Sequence, residues 1–139
     1  MTNGRARAGR LILAAAIVIG AVLWLQPYSV FSPYRVYTEP ARRFLRAALA
    51  QDSLELQRRA IAPQPIEWAL HAGKGDRGAL AIWANLLRPY SGQQHGDTAT
   101  VVFQTNTGVC NLRPVAMTFV RGARDPRVLA ASSSCFADR

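Results

Sequence analysis

The sequence has few of the residues on which enzyme chemistry usually depends. It contains two cysteines and two histidines among 139 residues. The stretch "GKGDRG" (73–78) is rich in glycine, but it lacks the Walker spacing and the Lys-Ser/Thr pair of a phosphate loop. No Ser/His/Asp set with a nucleophile elbow and no Cys/His pair with a local signature is present. We therefore predict that the protein is not an enzyme and has no catalytic residue.

Metal ligands at recognisable spacing are also missing. His71 falls near the end of a short predicted helix, and His95 lies in a polar stretch. Neither histidine belongs to a paired-ligand motif, and the two cysteines are not spaced as in a zinc site. We expect no metal and no cofactor.

Acidic residues are scarce relative to basic ones. Eight Asp and Glu stand against seventeen Lys and Arg, which gives a net charge of +9. The basic residues are spread along the chain, with local pairs at Arg42-Arg43 and Arg58-Arg59. A block of positive charge is more typical of nucleic-acid binding. The distribution favours anionic lipid headgroups or an acidic protein partner over nucleic acid.

The N-terminus has a long apolar stretch without a cleavage signal. In "RARAGRLILAAAIVIGAVLWLQPYS", three arginines precede fifteen apolar residues, Leu11–Leu25, but no small-x-small site or lipobox cysteine follows. Fifteen helical residues rise only about 22 Å, whereas a helix over 11–31 would span about 31 Å. We therefore expect an uncleaved transmembrane helix at residues 11–31. The arginines place its N-terminus in the cytoplasm by the positive-inside rule.

This interpretation divides the chain into four parts in a bacterial inner membrane. They are a cytoplasmic basic tail (1–10), the transmembrane helix (11–31), an aromatic and proline-containing linker (32–37) and a periplasmic domain (38–139). Small residues four apart favour close helix packing, aromatic residues suit a membrane interface, and arginines suit lipid phosphates. The residues expected to contact membrane or partner are Ala16, Gly20, Trp24, Tyr28, Phe31, Tyr34, Tyr37, Arg42, Arg43 and Arg46.

The domain is predicted to be α+β, with three to four helices packed on a three- to four-stranded antiparallel sheet. Apolar residues at helical spacing and capping residues predict the helices, and alternating β-branched residues predict the strands. The predicted helices are 39–51, a second capped by Asp52 or Ser53, 65–72 and 77–88, followed by a loop (91–97) and strands at 98–105, 113–121 and 127–135.

This order of elements resembles the nuclear-transport-factor-2-like (cystatin-like) superfamily. The likeness rests on "ARRFLRAALAQDSLELQRRA" (41–60), "DTATVVFQT", "RPVAMTFVRG" and "RVLAASSS". It implies an extracytoplasmic domain like those of small bacterial lipoproteins and single-pass membrane proteins. The chain departs from the family at 77–88, where a helix replaces an early strand pair. The resemblance assigns no catalytic residue.

These observations favour a non-catalytic, single-pass accessory subunit whose periplasmic domain contacts other subunits of a larger membrane complex. The first hypothesis is an energy-transducing complex, such as a photosynthetic reaction centre–antenna assembly. One alternative is a periplasmic assembly factor resembling core proteins of type IV secretion. Another is a small-ligand binder that uses the concave face of the sheet.

The two cysteines are predicted to form a disulfide. Cys110 precedes one strand of the predicted hairpin and Cys135 ends the other. Antiparallel pairing brings these ends together, and the predicted compartment is oxidising.

Non-reducing peptide mapping of protein from native membranes should recover peptides joined through Cys110 and Cys135. Replacing Cys135 by serine should lower the free energy of unfolding by up to about 3–4 kcal/mol, because the unfolded chain loses a constraint. Two free thiols in such protein would contradict the prediction.

Overall fold

The computed structural model describes residues 3–25, 32–105, 114–122 and 124–133, with residues 3–7 and 23–25 described by their backbone alone. The chain forms two compact units, Met1–Pro33 and Tyr34–Arg139. The elements in chain order are α1 (Asn3–Leu25), the 3-10 helix η1 (Pro33–Tyr37), α2 (Thr38–Leu49), α3 (Ser53–Arg59), α4 (Pro63–Lys74), α5 (Arg77–Leu86), β1 (Arg88–His95), β2 (Thr98–Gln104), β3 (Val115–Val120) and β4 (Arg127–Ser133).

The prediction of a transmembrane helix over residues 11–31 is wrong. Within the described part of the chain, no helix has both the length and the apolar character required to cross a bilayer. The apolar run of α1 from Leu11 to Leu25 rises about 22 Å, against a hydrocarbon core of about 30 Å. The extension through Pro27 on which the prediction depended lies outside the described residues.

The second unit is an α+β domain, and its helices begin where the chain supplies suitable caps. Asp52 accepts a hydrogen bond from the Glu55 N–H at 3.0 Å, as expected for the N-cap of α3. Asp76 caps α5 in the same way through the Ala79 N–H at 2.9 Å. Helix α4 starts at Pro63, two residues before the predicted start, because proline is tolerated in a first turn.

The sheet has four antiparallel strands in the order β1-β2-β3-β4. Strands β2, β3 and β4 lie within the predicted strand ranges, but β1 occupies most of the segment predicted to be a loop. Its polar sequence carries no alternating apolar pattern, and its strand form is defined by pairing with β2. The turn between β1 and β2 is confined to Gly96 and Asp97, with Gly96 in the left-handed region at φ +54°.

The core lies between the helices and one face of the sheet. Alternate residues of β2 and β3 point toward the helices, and all of them are buried. They belong to one buried cluster with the inner faces of α2 and α5. The largest fully buried side chains are Trp83, Phe44, Phe103, Phe119, Leu45, Leu56, Leu80, Leu87, Met117, Val101, Val115 and Val128.

Helices α2 and α4 approach closely at Gly73. A Cβ placed on Gly73 would lie 3.0 Å from the carbonyl carbon of Ala48 and closer still to its oxygen and to the Gln51 amide nitrogen. That amide nitrogen donates hydrogen bonds to the Ala48 carbonyl at 2.9 Å and to the Leu70 carbonyl at 3.2 Å. A side chain at position 73 would therefore separate the helices or break these bonds.

We predict that Gly73→Ala lowers the free energy of unfolding by about 1–3 kcal/mol, the usual cost of overpacking. The matched control is Gly78→Ala on α5, where the nearest atom to an added Cβ is Asp76 Oδ1 at an ordinary 3.5 Å. This control should be neutral or stabilising by up to about 1 kcal/mol, because alanine is the better helix former. Urea unfolding followed by circular dichroism measures both effects, and equal stability of the two variants would contradict the close approach.

Candidate functional site

Helix α1 exposes its apolar side chains. Its large aliphatic residues between Leu11 and Val22 are 51–71% exposed. Ala16 and Gly20, predicted to form a packing seam, are exposed as well. Trp24 is described by its backbone alone, while Tyr28 and Phe31 lie outside the described residues.

Two aromatic residues predicted to contact a membrane or partner lie instead against the domain's own core. Tyr37 is 3% exposed, and its ring centroid is 5.0 Å from that of Phe119. Tyr34 is partly buried, and its ring covers Gly92, where an added Cβ would lie 2.6 Å from the ring. The segment 32–37 is thus largely the 3-10 helix η1, and its two tyrosines attach it to the domain.

The three arginines of α2 have different environments. Arg43 is exposed and pairs with Glu39 at 3.3 Å. Arg46 is also exposed, 3.9 Å from Glu39 and 3.5 Å from Asn85 Oδ1. Arg42 is partly buried and directs a guanidinium nitrogen to the Leu87 carbonyl at 3.5 Å. Arg43 and Arg46 therefore place positive charge on the surface. Arg42 instead connects α2 to Leu87, the residue that follows α5.

A pocket of about 380 Å³ lies between the N-terminal end of α2 and the turn that joins β3 to β4. Four arginines contribute to it from three parts of the chain, together with two carboxylates and an apolar wall. The lining residues are Val36, Tyr37, Glu39, Pro40, Arg43, Arg59, Arg121, Gly122, Arg124, Asp125 and Pro126. Its four guanidinium groups exceed its two carboxylates by two charges.

The arginines of this pocket are only partly neutralised by neighbouring residues. Arg59 pairs with Glu55, but its buried Nε has no hydrogen-bond partner among the described residues. Arg121 and Arg124 form no ion pair with any described residue and are exposed. Helix α2 has no side-chain cap at Tyr37, and a helix N-terminus adds partial positive charge. The arrangement is suited to binding an anion.

Sequence reasoning did not identify this pocket. Arg59 belonged to a predicted helix, Arg121 ended a predicted strand, and Arg124 lay in the predicted turn that follows it. No local motif connects these arginines with Arg43, because the three segments are far apart in the sequence. The only sequence signal was the excess of arginine over acidic residues.

The two edges of the sheet differ. The outer side of β4 is covered, because Ala60 forms a parallel bridge with Val128 and the Ile61 N–H donates to the Val128 carbonyl at 2.9 Å. Further along, the Gln64 amide donates to the Ala131 carbonyl at 2.8 Å and accepts from the Ala131 N–H at 3.0 Å. In the described part of the chain, no strand pairs with the outer side of β1.

The other predicted features of the site can be located in part. Both histidines are exposed, His71 in the last turn of α4 and His95 at the end of β1. The described residues contain no group of three or more His, Cys, Asp or Glu that could hold a metal ion. Cys110 and Cys135 lie outside the described residues, so their disulfide stays a prediction.

Comparison of the chain with family models, with curated proteins and with solved structures finds no match.

The Gln64 amide should contribute measurably to stability because it forms two hydrogen bonds with the edge of β4. We predict that Gln64→Ala lowers the free energy of unfolding by about 1–2 kcal/mol, and that Gln64→Glu costs more, because a carboxylate would face the Ala131 carbonyl. Gln57→Ala, at an exposed position on α3, is the control and should change stability by less than about 0.5 kcal/mol. If Gln64→Ala unfolds at the same urea concentration as wild type, the amide does not stabilise this edge.

Proposed function

We propose that this protein is a non-catalytic accessory subunit of a larger membrane complex. In this proposal α1 packs against apolar helices of other subunits, and the α+β domain forms further contacts with them. The observation that carries the proposal is the exposed apolar surface of α1. Soluble monomers rarely expose contiguous apolar patches of this kind, and such patches commonly mark interaction sites.

The energetic argument rests on the aliphatic residues of α1. Full burial of one such side chain contributes about 1.5–3 kcal/mol. Seven of them are more than half exposed: Leu11, Ile12, Leu13, Ile17, Val18, Ile19 and Val22. They occur on every side of the helix, and a helix that is apolar all round is typically buried. Association with apolar partners would therefore be strongly favourable.

The partner of α1 in this proposal is another apolar helix. Ala16 and Gly20 are four residues apart and lie on the same side of α1. Small residues at this spacing allow two helix backbones to approach closely. Ala14 and Ala21 lie on the opposite side of the helix and provide a comparison.

The domain offers β1 as a second contact surface. Among the described residues no strand lies beyond β1, and an extended segment of a partner can add to such a sheet edge. Arg88 and Pro89, residue types that often protect a sheet edge, begin this strand, but residues 90–95 carry no Lys, Arg, Asp or Glu. We propose that an extended segment of a neighbouring subunit pairs with this edge.

The class of complex that we propose first is an energy-transducing membrane assembly, with the domain on its periplasmic side. A periplasmic assembly factor of a secretion complex is the second candidate, because it would use the same surfaces transiently. The sheet provides less support for a ligand binder acting through its helix-facing side. Phe103, Met117 and Phe119 are fully buried there beneath the helices.

Blocking the small-residue side of α1 should release the protein from its complex. We predict that Ala16→Leu combined with Gly20→Leu lowers retention by about tenfold, the effect of losing about 1.4 kcal/mol of contact energy. Ala14→Leu combined with Ala21→Leu is the control, which adds similar apolar bulk on the opposite side. The measurement is the amount of each variant that co-elutes with the native complex after extraction in mild detergent.

Circular dichroism of each variant should show that the helices and the domain remain folded. Equal retention of the two double variants would exclude the Ala16–Gly20 side as the contact. Wild-type protein that migrates alone after native extraction would contradict the subunit proposal itself.

A further inference from the structure

The arginine pocket at the N-terminal end of α2 is a candidate ligand site in addition to the proposed subunit contacts. We propose that it binds a phosphate monoester, carried either by a soluble metabolite or by the headgroup of a phosphatidate lipid. This inference does not depend on the proposed function, because all the lining residues belong to the unit Tyr34–Arg139.

The number of guanidinium donors favours a phosphate monoester over a single carboxylate. The lining arginines exceed the lining carboxylates by two charges, or by one when Glu55, which pairs with Arg59, is counted, and a phosphate monoester carries about −1.5 to −2 at neutral pH. Guanidinium groups bind phosphate oxygens through paired N–H donors of fixed geometry. Four of them around one pocket can serve the three terminal oxygens of a phosphate at the same time.

The arginines divide into two with and two without a carboxylate partner. Arg43 pairs with Glu39 at 3.3 Å, and Arg59 pairs with Glu55. Arg121 and Arg124, on the other side of the pocket, have no carboxylate partner among the described residues.

The remaining wall of the pocket is apolar, with Val36, Pro40 and Pro126 among its residues. Its volume of about 380 Å³ is within the range of small-molecule sites, about 300–1,000 Å³. The pocket therefore has room for the carbon body of a small phosphate ester beside the arginines.

The test is calorimetric titration of the full-length protein in a non-ionic detergent. The probes are glycerol 3-phosphate, succinate, and mixed micelles containing phosphatidate or phosphatidylcholine. We expect binding of glycerol 3-phosphate, of phosphatidate, or of both, and the arm that binds identifies the source of the phosphate. Binding should weaken when ionic strength rises from about 0.1 M to about 1 M, because screening shortens the electrostatic range.

Arg121→Gln combined with Arg124→Gln should weaken this binding by at least about tenfold, since charged hydrogen bonds are lost. The matched control is Arg77→Gln combined with Arg88→Gln, which removes the same net charge from exposed positions that do not line the pocket. This control should change affinity less than about twofold. Unfolding curves of both double variants report whether the domain is intact.

A second variant should raise the affinity for phosphate instead of lowering it, and it keeps every arginine. Asp125→Asn removes a negative charge from the pocket wall and should tighten phosphate binding by about threefold or more. The proposal is overturned if no phosphate probe binds, if succinate binds as tightly, if the two arginine double variants behave alike, or if Asp125→Asn weakens binding.

Discussion

The domain is organised around the buried face of α2. Ala41, Phe44, Leu45 and Ala48 are completely buried, and the helix packs against its helical neighbours through this face. Because the position of α2 is fixed by this burial, its N-terminal end is fixed beside the β3–β4 turn, where the arginine pocket forms. Its other end receives Gly73 of α4, a contact that only a residue without a side chain allows.

The sheet covers the other side of the core, and its two edges differ in how much of the chain lies against them. The chain after α3 runs along β4, so that side chains and main chain from residues 60–64 satisfy that edge. Strand β1 lies at the other edge of the sheet, with Tyr34 packed over Gly92. Strand addition uses a sheet edge beyond which no strand lies, so the unequal edges favour β1 over β4 as the surface for an extended partner.

Two surfaces with different physical properties thus carry the two proposals. The surface of α1 is apolar, and covering it lowers the free energy of the system, which suits a permanent contact with other subunits. The pocket is charged and partly open to solvent, and its affinity for an anion would depend on ionic strength. A subunit could therefore be retained through one surface and respond to a ligand through the other.

Much of the local structure was determined by the sequence itself. The Asp52 cap of α3 follows from side-chain chemistry within one turn, and the alternation at Val115, Met117 and Phe119 defines a strand with one buried face. The transmembrane prediction for 11–31 was wrong, because no helix among the described residues is both long enough and apolar enough to cross a bilayer. The resemblance to the nuclear-transport-factor-2-like superfamily stays a prediction, as does the disulfide.

The tertiary structure decided those features that form only when distant parts of the chain come into contact. Strand β1 has no apolar pattern and is a strand because its main chain pairs with β2. Tyr37 belongs to the core because Phe119 lies against it. The pocket exists because the fold brings Arg59 and Arg121 to the same end of α2. A sequence pattern records the preferences of neighbouring residues, whereas these contacts join residues that only the packed core brings together.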